Sequence, residues 1–231
     1  MTRRIGFLHT VPALAGTFDD LLKRESQSVG ALHLADASLL QRAIDSGVDQ
    51  TVQADVSAHV DHLAKSGANL VLITCSSIGE TARLAAQGVS IPVVRVDEAM
   101  AQHGVDIARQ AASDPARAND NRSGRIAVLA TLDSTLGPTS RLVEARASSE
   151  ITVTTEVVEG AAAARAGGDH AEHDQLVAAA IRRAQREADV VVLAQASMAQ
   201  AIDSDSDASD QIPVLTSPES GLKNALDQLG H

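Results

Sequence analysis

One side chain in this sequence combines nucleophile with acid/base chemistry: Cys75, the only cysteine. It follows the uncharged run Leu70-Val71-Leu72-Ile73 and Thr74, and precedes Ser76 and Ser77. Four large apolar residues in a row read as a strand buried on both faces, and Glu80 to Ala85 reads as a helix. The thiol is therefore expected between a strand end and a helix start, where backbone N–H groups lack intrahelical partners. Such a place favours a thiolate and an anionic substrate. The plain structural alternative is a small apolar cysteine capping a core strand. No Lys or Arg lies close to Cys75 in sequence, so the helix start is the main local acidifier. His9, at the end of an earlier strand, is a candidate second acid/base.

The elements that must position these groups follow from periodicity. Ile5 to Thr10 reads as a first strand, Phe18 to Arg24 as a short helix and Ala31 to Ala35 as a second strand. Val52, Val56, Val60 and Leu63 fall at helical spacing, so Gln50 to Lys65 is an amphipathic helix ended by Gly67. After the cysteine strand come a strand at Ile91–Val94 and a helix through about Ala111 that Asp97 can cap. Residues 113–124 are polar and rich in turn formers, and read as a crossover linker.

The pattern then restarts. Arg125 to Thr131 matches the first strand. A helix from about Leu136 to Ala147, a strand at Ile151–Val157 and a helix from Asp174 to Glu187 come next. Ala188 to Ser197 matches Ala68 to Ser77 in character. Ile212-Pro213-Val214 repeats Ile91-Pro92-Val93, and Ser217-Pro218-Glu219 opens the last helix. Thr131 follows Thr10 by 121 positions, Gln195 follows Cys75 by 120 and Pro213 follows Pro92 by 121. The expected fold class is α/β, in two pseudo-symmetric halves (1–112 and 113–231). Each half is a mainly parallel sheet of about four strands flanked by helices, with the C-terminal helix free to pack back on the first half. Ligands of such sheets bind beyond the carboxyl ends of the strands, which puts the expected site in the cleft between halves, with Cys75 on one side and Gln195 on the other.

The duplicated pattern, the strand-end Thr74-Cys75-Ser76-Ser77, the segment Ala130-Thr131-Leu132-Asp133-Ser134-Thr135 and Ala194-Gln195-Ala196-Ser197-Met198 resemble the aspartate/glutamate racemase superfamily. That superfamily also holds hydantoin racemases, maleate isomerases and arylmalonate decarboxylases. The resemblance spans essentially the whole chain. It implies proton transfer at the carbon α to a carboxylate by two facing cysteines, with no metal, pyridoxal or nicotinamide cofactor, and often a homodimer. Cys75 matches the first family cysteine. Gln195 stands where the second would be, and an amide exchanges no proton at useful pH, so direct two-thiol racemisation looks disabled. The decarboxylases are also single-cysteine members, but keep the cysteine of the second half; in maleate isomerases the first cysteine is the attacking nucleophile, with a second also present.

The shared chemistry of this superfamily builds negative charge beside a carboxylate, which fixed N–H and O–H donors stabilise. Thr10, Ser76, Ser77, Thr131, Ser134, Thr135, Ala196 and Ser197 form a ring of small donors at matching strand ends; ordinary helix capping is the alternative use for each hydroxyl. Gln195 either donates to a substrate carbonyl or carboxylate or fills the space of a lost thiol. The leading expectation is a cofactor-independent isomerase or racemase-type enzyme acting through Cys75. A decarboxylase of a malonate-type diacid, a hydrolase with an acylated Cys75, and a catalytically silent carboxylate-binding protein are the alternatives.

Composition narrows the partners. A net charge of −11 argues against nucleic acid or an anionic membrane surface as the main partner. With two Phe and no Trp or Tyr, there is no platform for stacking rings, which favours a small aliphatic acid as substrate. One cysteine excludes an internal disulfide and any multi-cysteine metal site. With no apolar run of membrane-spanning length, a cytoplasmic protein is the expectation. Three segments imitate metal sites. Asp169-His170-Ala171-Glu172-His173-Asp174 reads as a solvated helix start, His59 and His62 as surface residues one turn apart, and Asp203 to Asp210 as an acidic loop. In that loop Ala208 replaces the glycine of a calcium loop and Val214 stands where its bidentate Glu belongs.

Overall fold

A computed structural model describes residues 3–114, 123–202 and 212–230. The elements run β1 (Arg4–His9), α1 (Leu14–Glu25), β2 (Gly30–Ala35), α2 (Ala37–Ser46), α3 (Gln50–Lys65), β3 (Leu70–Ile73), α4 (Ala82–Ala85), β4 (Val93–Arg95) and α5 (Glu98–Ala112). They continue with β5 (Gly124–Ala130), α6 (Asp133–Glu144), β6 (Ile151–Val157), α7 (Ala161–Ala166), α8 (His170–Ala184), β7 (Val190–Leu193), β8 (Val214–Thr216) and α9 (Ser217–Gln228). Most of the expected linker and the acidic loop from Asp203 lie outside the described residues. Among the described residues, no helix is long and apolar enough to cross a membrane.

The first unit holds a four-stranded parallel sheet in the order β2-β1-β3-β4. β3 explains its own position: all four of its residues are fully buried, as a central strand covered on both faces requires. Ile5, Phe7, Leu70 and Leu72 pack toward α1 and α9 through Phe18, Leu21, Leu22, Leu222 and Leu226. Leu8, Val71 and Ile73 pack on the other face against Val52, Val56 and Val60 of α3. Asp49 caps α3, its Oδ1 accepting from the Val52 N–H at 2.9 Å. On α3, the His59 ring meets Asp36, the residue that caps α2, at 2.9 Å. It thereby ties the two helices together.

The second unit repeats the plan in the order β6-β5-β7-β8, again all parallel. In each sheet the chain crosses between the two central strands, so β1/β3 and β5/β7 form the switch points beyond whose carboxyl ends such sheets bind ligands. The boundary between units falls at Ala99/Met100, not at residues 112/113, and the chain from Pro218 onward belongs to the first unit. The reason is the apolar stripe of α5: Met100, Ala101, Val105 and Ala108 complete the core of the second sheet with Ile126, Val128 and Val192.

Gly221 holds α9 close to the end of β4. A Cβ there would overlap the Val96 carbonyl oxygen, and neither backbone can yield cheaply. Gly221→Ala is expected to destabilise the protein by about 1–3 kcal/mol despite the better helix propensity of alanine, read as a lower urea midpoint at unchanged slope. An equal or higher midpoint would contradict the close approach.

Candidate functional site

Cys75 sits two residues beyond the end of β3, in extended backbone (φ −120°, ψ 118°). The segment after it differs from the expected helix start. Ser76–Thr81 is a 3-10 turn, and α4 adds only four residues. The six-residue turn Ser76–Thr81 has Gly79 near its centre, winds tightly and supplies no long helix dipole. Local groups act on the thiol instead. Burial pushes its pKa up, while the Thr10 hydroxyl, the backbone N–H groups of Ser77 and Ile78 and the Ser77 hydroxyl pull it back toward the thiolate. The rise dominates, so the partly exposed Cys75 rests as a thiol at neutral pH. Thr10 is 2% exposed, and its Oγ1 has no hydrogen-bond partner among the described residues. Ser76 and Ser77 are buried beside them.

His9 is fully buried, with both ring nitrogens engaged: Nδ1 lies 2.8 Å from Thr74 Oγ1, and Nε2 lies 2.9 Å from His33 Nδ1. His33 Nε2 in turn meets Asp19 Oδ1 at 3.1 Å. Burial, reinforced by His33 and opposed by Asp19, lowers the His9 pKa to about 4. His9 is therefore neutral at physiological pH, and its nearest link to the cysteine is Thr74, the preceding residue.

Sequence spacing alone does not point to Arg95. β3–β4 pairing sets Ile73 opposite Arg95, two residues from the cysteine. The guanidinium lies against Gly79, where a Cβ would come within 3.0 Å of its Nε, and it grips Asp97 in a two-pronged ion pair at 2.6 and 2.8 Å. Asp97 is fully buried. The Arg-Val-Asp alternation at the end of a strand is the available signal, since residues two apart share a face. The second unit has no counterpart, with Thr216 and Pro218 at the matching positions.

Gln195 occupies the corresponding end of β7, again in extended backbone before a 3-10 turn (Ala196–Ala201). Its Oε1 accepts from the Thr131 N–H at 2.6 Å and from the Thr131 hydroxyl at 2.9 Å. A backbone N–H can only donate, so the oxygen must be the atom that faces Thr131. The side-chain NH₂, two donors and no acceptor, is what Gln195 has left to offer. Thr131 and Thr135 are buried at this end. Ser134 stands in the first turn of α6, its buried Oγ without a partner among the described residues. Ala196 and Ser197 lie half-buried in the turn.

The metal-like segments have structural uses. Asp169 caps α8, accepting from the Glu172 N–H at 2.9 Å, and His173 is buried with Nδ1 2.8 Å from Asp174 Oδ1.

The family model described as Asp/Glu/Hydantoin racemase matches residues 9–225. Among curated proteins, none matches the chain in sequence. Among solved structures, the allantoin racemase from Klebsiella pneumoniae superposes with a TM-score of 0.69 at 16% identity, covering 99% of this chain and 88% of that one. A glutamate racemase isoform from Bacillus anthracis gives 0.68 at 15% identity, covering 99% and 82%. An arylmalonate decarboxylase variant in a sulfate-associated form gives 0.59 at 18% identity, covering 98% and 93%. At these identities the likeness shows a common fold.

Proposed function

The chain belongs to the Asp/Glu/hydantoin racemase family, and from that premise we propose that it is a cofactor-independent isomerase or racemase-type enzyme that acts, through Cys75, at the carbon α to the carboxylate of a small acid. The observation that carries this reading is the convergence of Thr10, Ser77 and the Ile78 N–H on the single thiol at a switch-point strand end. In the forward step, Cys75 first loses its thiol proton to solvent, and the thiolate then takes the α-proton, forming S–H while the C–H electron pair moves into the carboxylate as an ene-diolate. Return of the proton to carbon regenerates the thiolate. Gln195 takes no part as a base; its NH₂ is suited to donate to an oxygen on which charge develops. With one thiol, proton loss and return through Cys75 use one face, so the thiol alone exchanges the α-proton with retention, and net isomerisation requires a second group, such as a water, on the opposite face. A cytoplasmic homodimer is part of this reading.

A second reading has one specific observation in its favour. Burial holds Cys75 as a thiol, the form that delivers a proton to a carbanion, so a malonate-type diacid would lose CO₂ and gain that proton at the α-carbon. Incubating aspartate, glutamate, maleate, a hydantoin and methylmalonate in D₂O separates the two by proton NMR. Cys75-dependent α-deuterium uptake without loss of mass supports the isomerase reading. CO₂ release with deuterium in the product moves the assignment to decarboxylase. Ligand binding that persists in wild type and Cys75→Ala, with no turnover, means a silent binding protein.

Gln195→Cys tests the assignment of the second position. It restores a thiol where the family's racemases carry their second cysteine. Chiral chromatography is expected to show faster inversion in the variant than in wild type. Inversion by wild type itself would show that another group serves the second face.

A further inference from the structure

A second cluster of titratable groups lies beside the cysteine strand end and takes no part in the chemistry above. It is a transverse row across three adjacent strands, from Asp19 on α1 through His33 on β2 and His9 on β1 to Thr74 beyond β3. One placement of the hydrogens satisfies every contact of this row, with the Thr74 hydroxyl hydrogen on the Leu8 carbonyl rather than on His9 Nδ1. Thr74 Oγ1 donates to the Leu8 carbonyl at 3.0 Å, and a hydroxyl has one hydrogen. It therefore accepts from His9 Nδ1–H. A neutral His9 then presents a lone pair at Nε2, which must accept from His33 Nδ1–H. Asp19, a carboxylate, only accepts, so a further proton stands between His33 Nε2 and Asp19 Oδ1. The donations diverge from His33, one toward the half-exposed Asp19 and the others toward a buried hydroxyl one residue from the thiol.

The environment is built for it. Both phenylalanines of the chain wrap the inner ring: Phe7 stacks on His33 at 4.9 Å and on His9 at 5.9 Å, and Phe18 lies 5.8 Å from His9. From β2 and α1 respectively, His33 and Asp19 are the titratable groups that act on His9; its Nδ1 meets the Thr74 hydroxyl.

We propose that Asp19, His33 and His9 are positioning residues for Cys75: the row fixes His9 as the Nδ1–H tautomer, and His9 in turn fixes the Thr74 hydroxyl and the strand end that presents the thiol to Thr10 and to the Ser77 and Ile78 N–H groups. The inference rests on reading Cys75 as the reacting group, but its test needs no substrate. Long-range nitrogen NMR of the histidines in wild type is expected to show His9 as the neutral Nδ1–H tautomer, uncharged well below pH 6.5. Cys75, the sole thiol, reports on the strand end through its alkylation by iodoacetamide. At pH 8, Thr74→Val is expected to slow alkylation about tenfold, the scale of one hydrogen bond to a charged group, and His33→Phe to slow it in the same direction. Thr74→Ser, which keeps the hydroxyl, and Asp20→Asn, an exposed neighbour of the row, should leave the rate at the wild-type value.

An Nε2–H tautomer for His9 in wild type overturns the proposal, as does unchanged alkylation in a folded Thr74→Val. Should Thr74→Val or His33→Phe not fold, the wild-type tautomer decides. An alkylation response with no turnover of any acid leaves the row standing and removes the proposed reaction instead.

Discussion

Replacing Cys75 with serine is expected to lower α-proton exchange by roughly 10²–10⁴-fold while leaving the fold and the binding of a carboxylate intact. That range is the contribution typical of one positioned acid/base group. Serine is close to cysteine in size and keeps a group that Thr10, Ser77 and Ile78 can act on, but its hydroxyl gives up a proton far less readily than a thiol. The loss should therefore fall on kcat rather than KM, because the donors that hold the carboxylate are unchanged. Cys75→Ala should lose as much, since neither variant can cycle a proton near neutral pH. A serine variant retaining more than a tenth of wild-type exchange would move the chemistry to another group.

The second large effect is on stability. His9 is fully buried and its pKa is lowered to about 4 from the ordinary 6.5. Between those two values the unfolded chain binds a proton that the folded chain does not, so stability rises with pH across that window. The stabilisation is fully present above about pH 6.5 and is lost as pH falls toward 4. At about 1.4 kcal/mol per unit of difference, His9 accounts for about 3 kcal/mol of acid destabilisation. His9→Gln keeps a donor toward Thr74 and an acceptor toward His33 without titrating. Urea unfolding at pH 7 and pH 4.5 should show a smaller loss in the variant than in wild type. Equal losses in the two proteins would mean that His9 is already protonated in the fold or not buried as described.

How much of this is legible in the sequence varies element by element. The duplication can be read because buried parallel strands are written as uninterrupted apolar runs. Leu70–Ile73 and Val190–Leu193 keep nearly the same offset as Thr10 and Thr131. Helix α2 escapes the periodicity, and so does α7, which is an alanine run between glycines with no apolar stripe to betray it. Of the helix expected over Glu80 to Ala85, Ala82–Ala85 is α-helical, while Glu80 and Thr81 close a 3-10 turn that begins at Ser76. Helix α5 reads as part of the first half because it follows β4 in sequence. Only its apolar partners, which lie more than twenty residues further on, assign it to the second sheet.

The site is legible at Cys75 and Gln195, where residue type and position speak together. It is not legible where strand order decides. Asp19 and His33 are fourteen residues apart and meet because β2 lies beside β1 under α1. Arg95 reaches the cysteine loop because β4 lies beside β3. The expected acidifying helix start also gives way to desolvation, whose size depends on burial that no spacing reveals.

The most direct test of the central claim is the isotopic and chiral fate of the α-carbon when wild-type enzyme and a small carboxylic acid react in D₂O. The account predicts deuterium at the α-carbon, abolished by alkylating Cys75. Deuterium uptake that survives alkylation of the only thiol would contradict it.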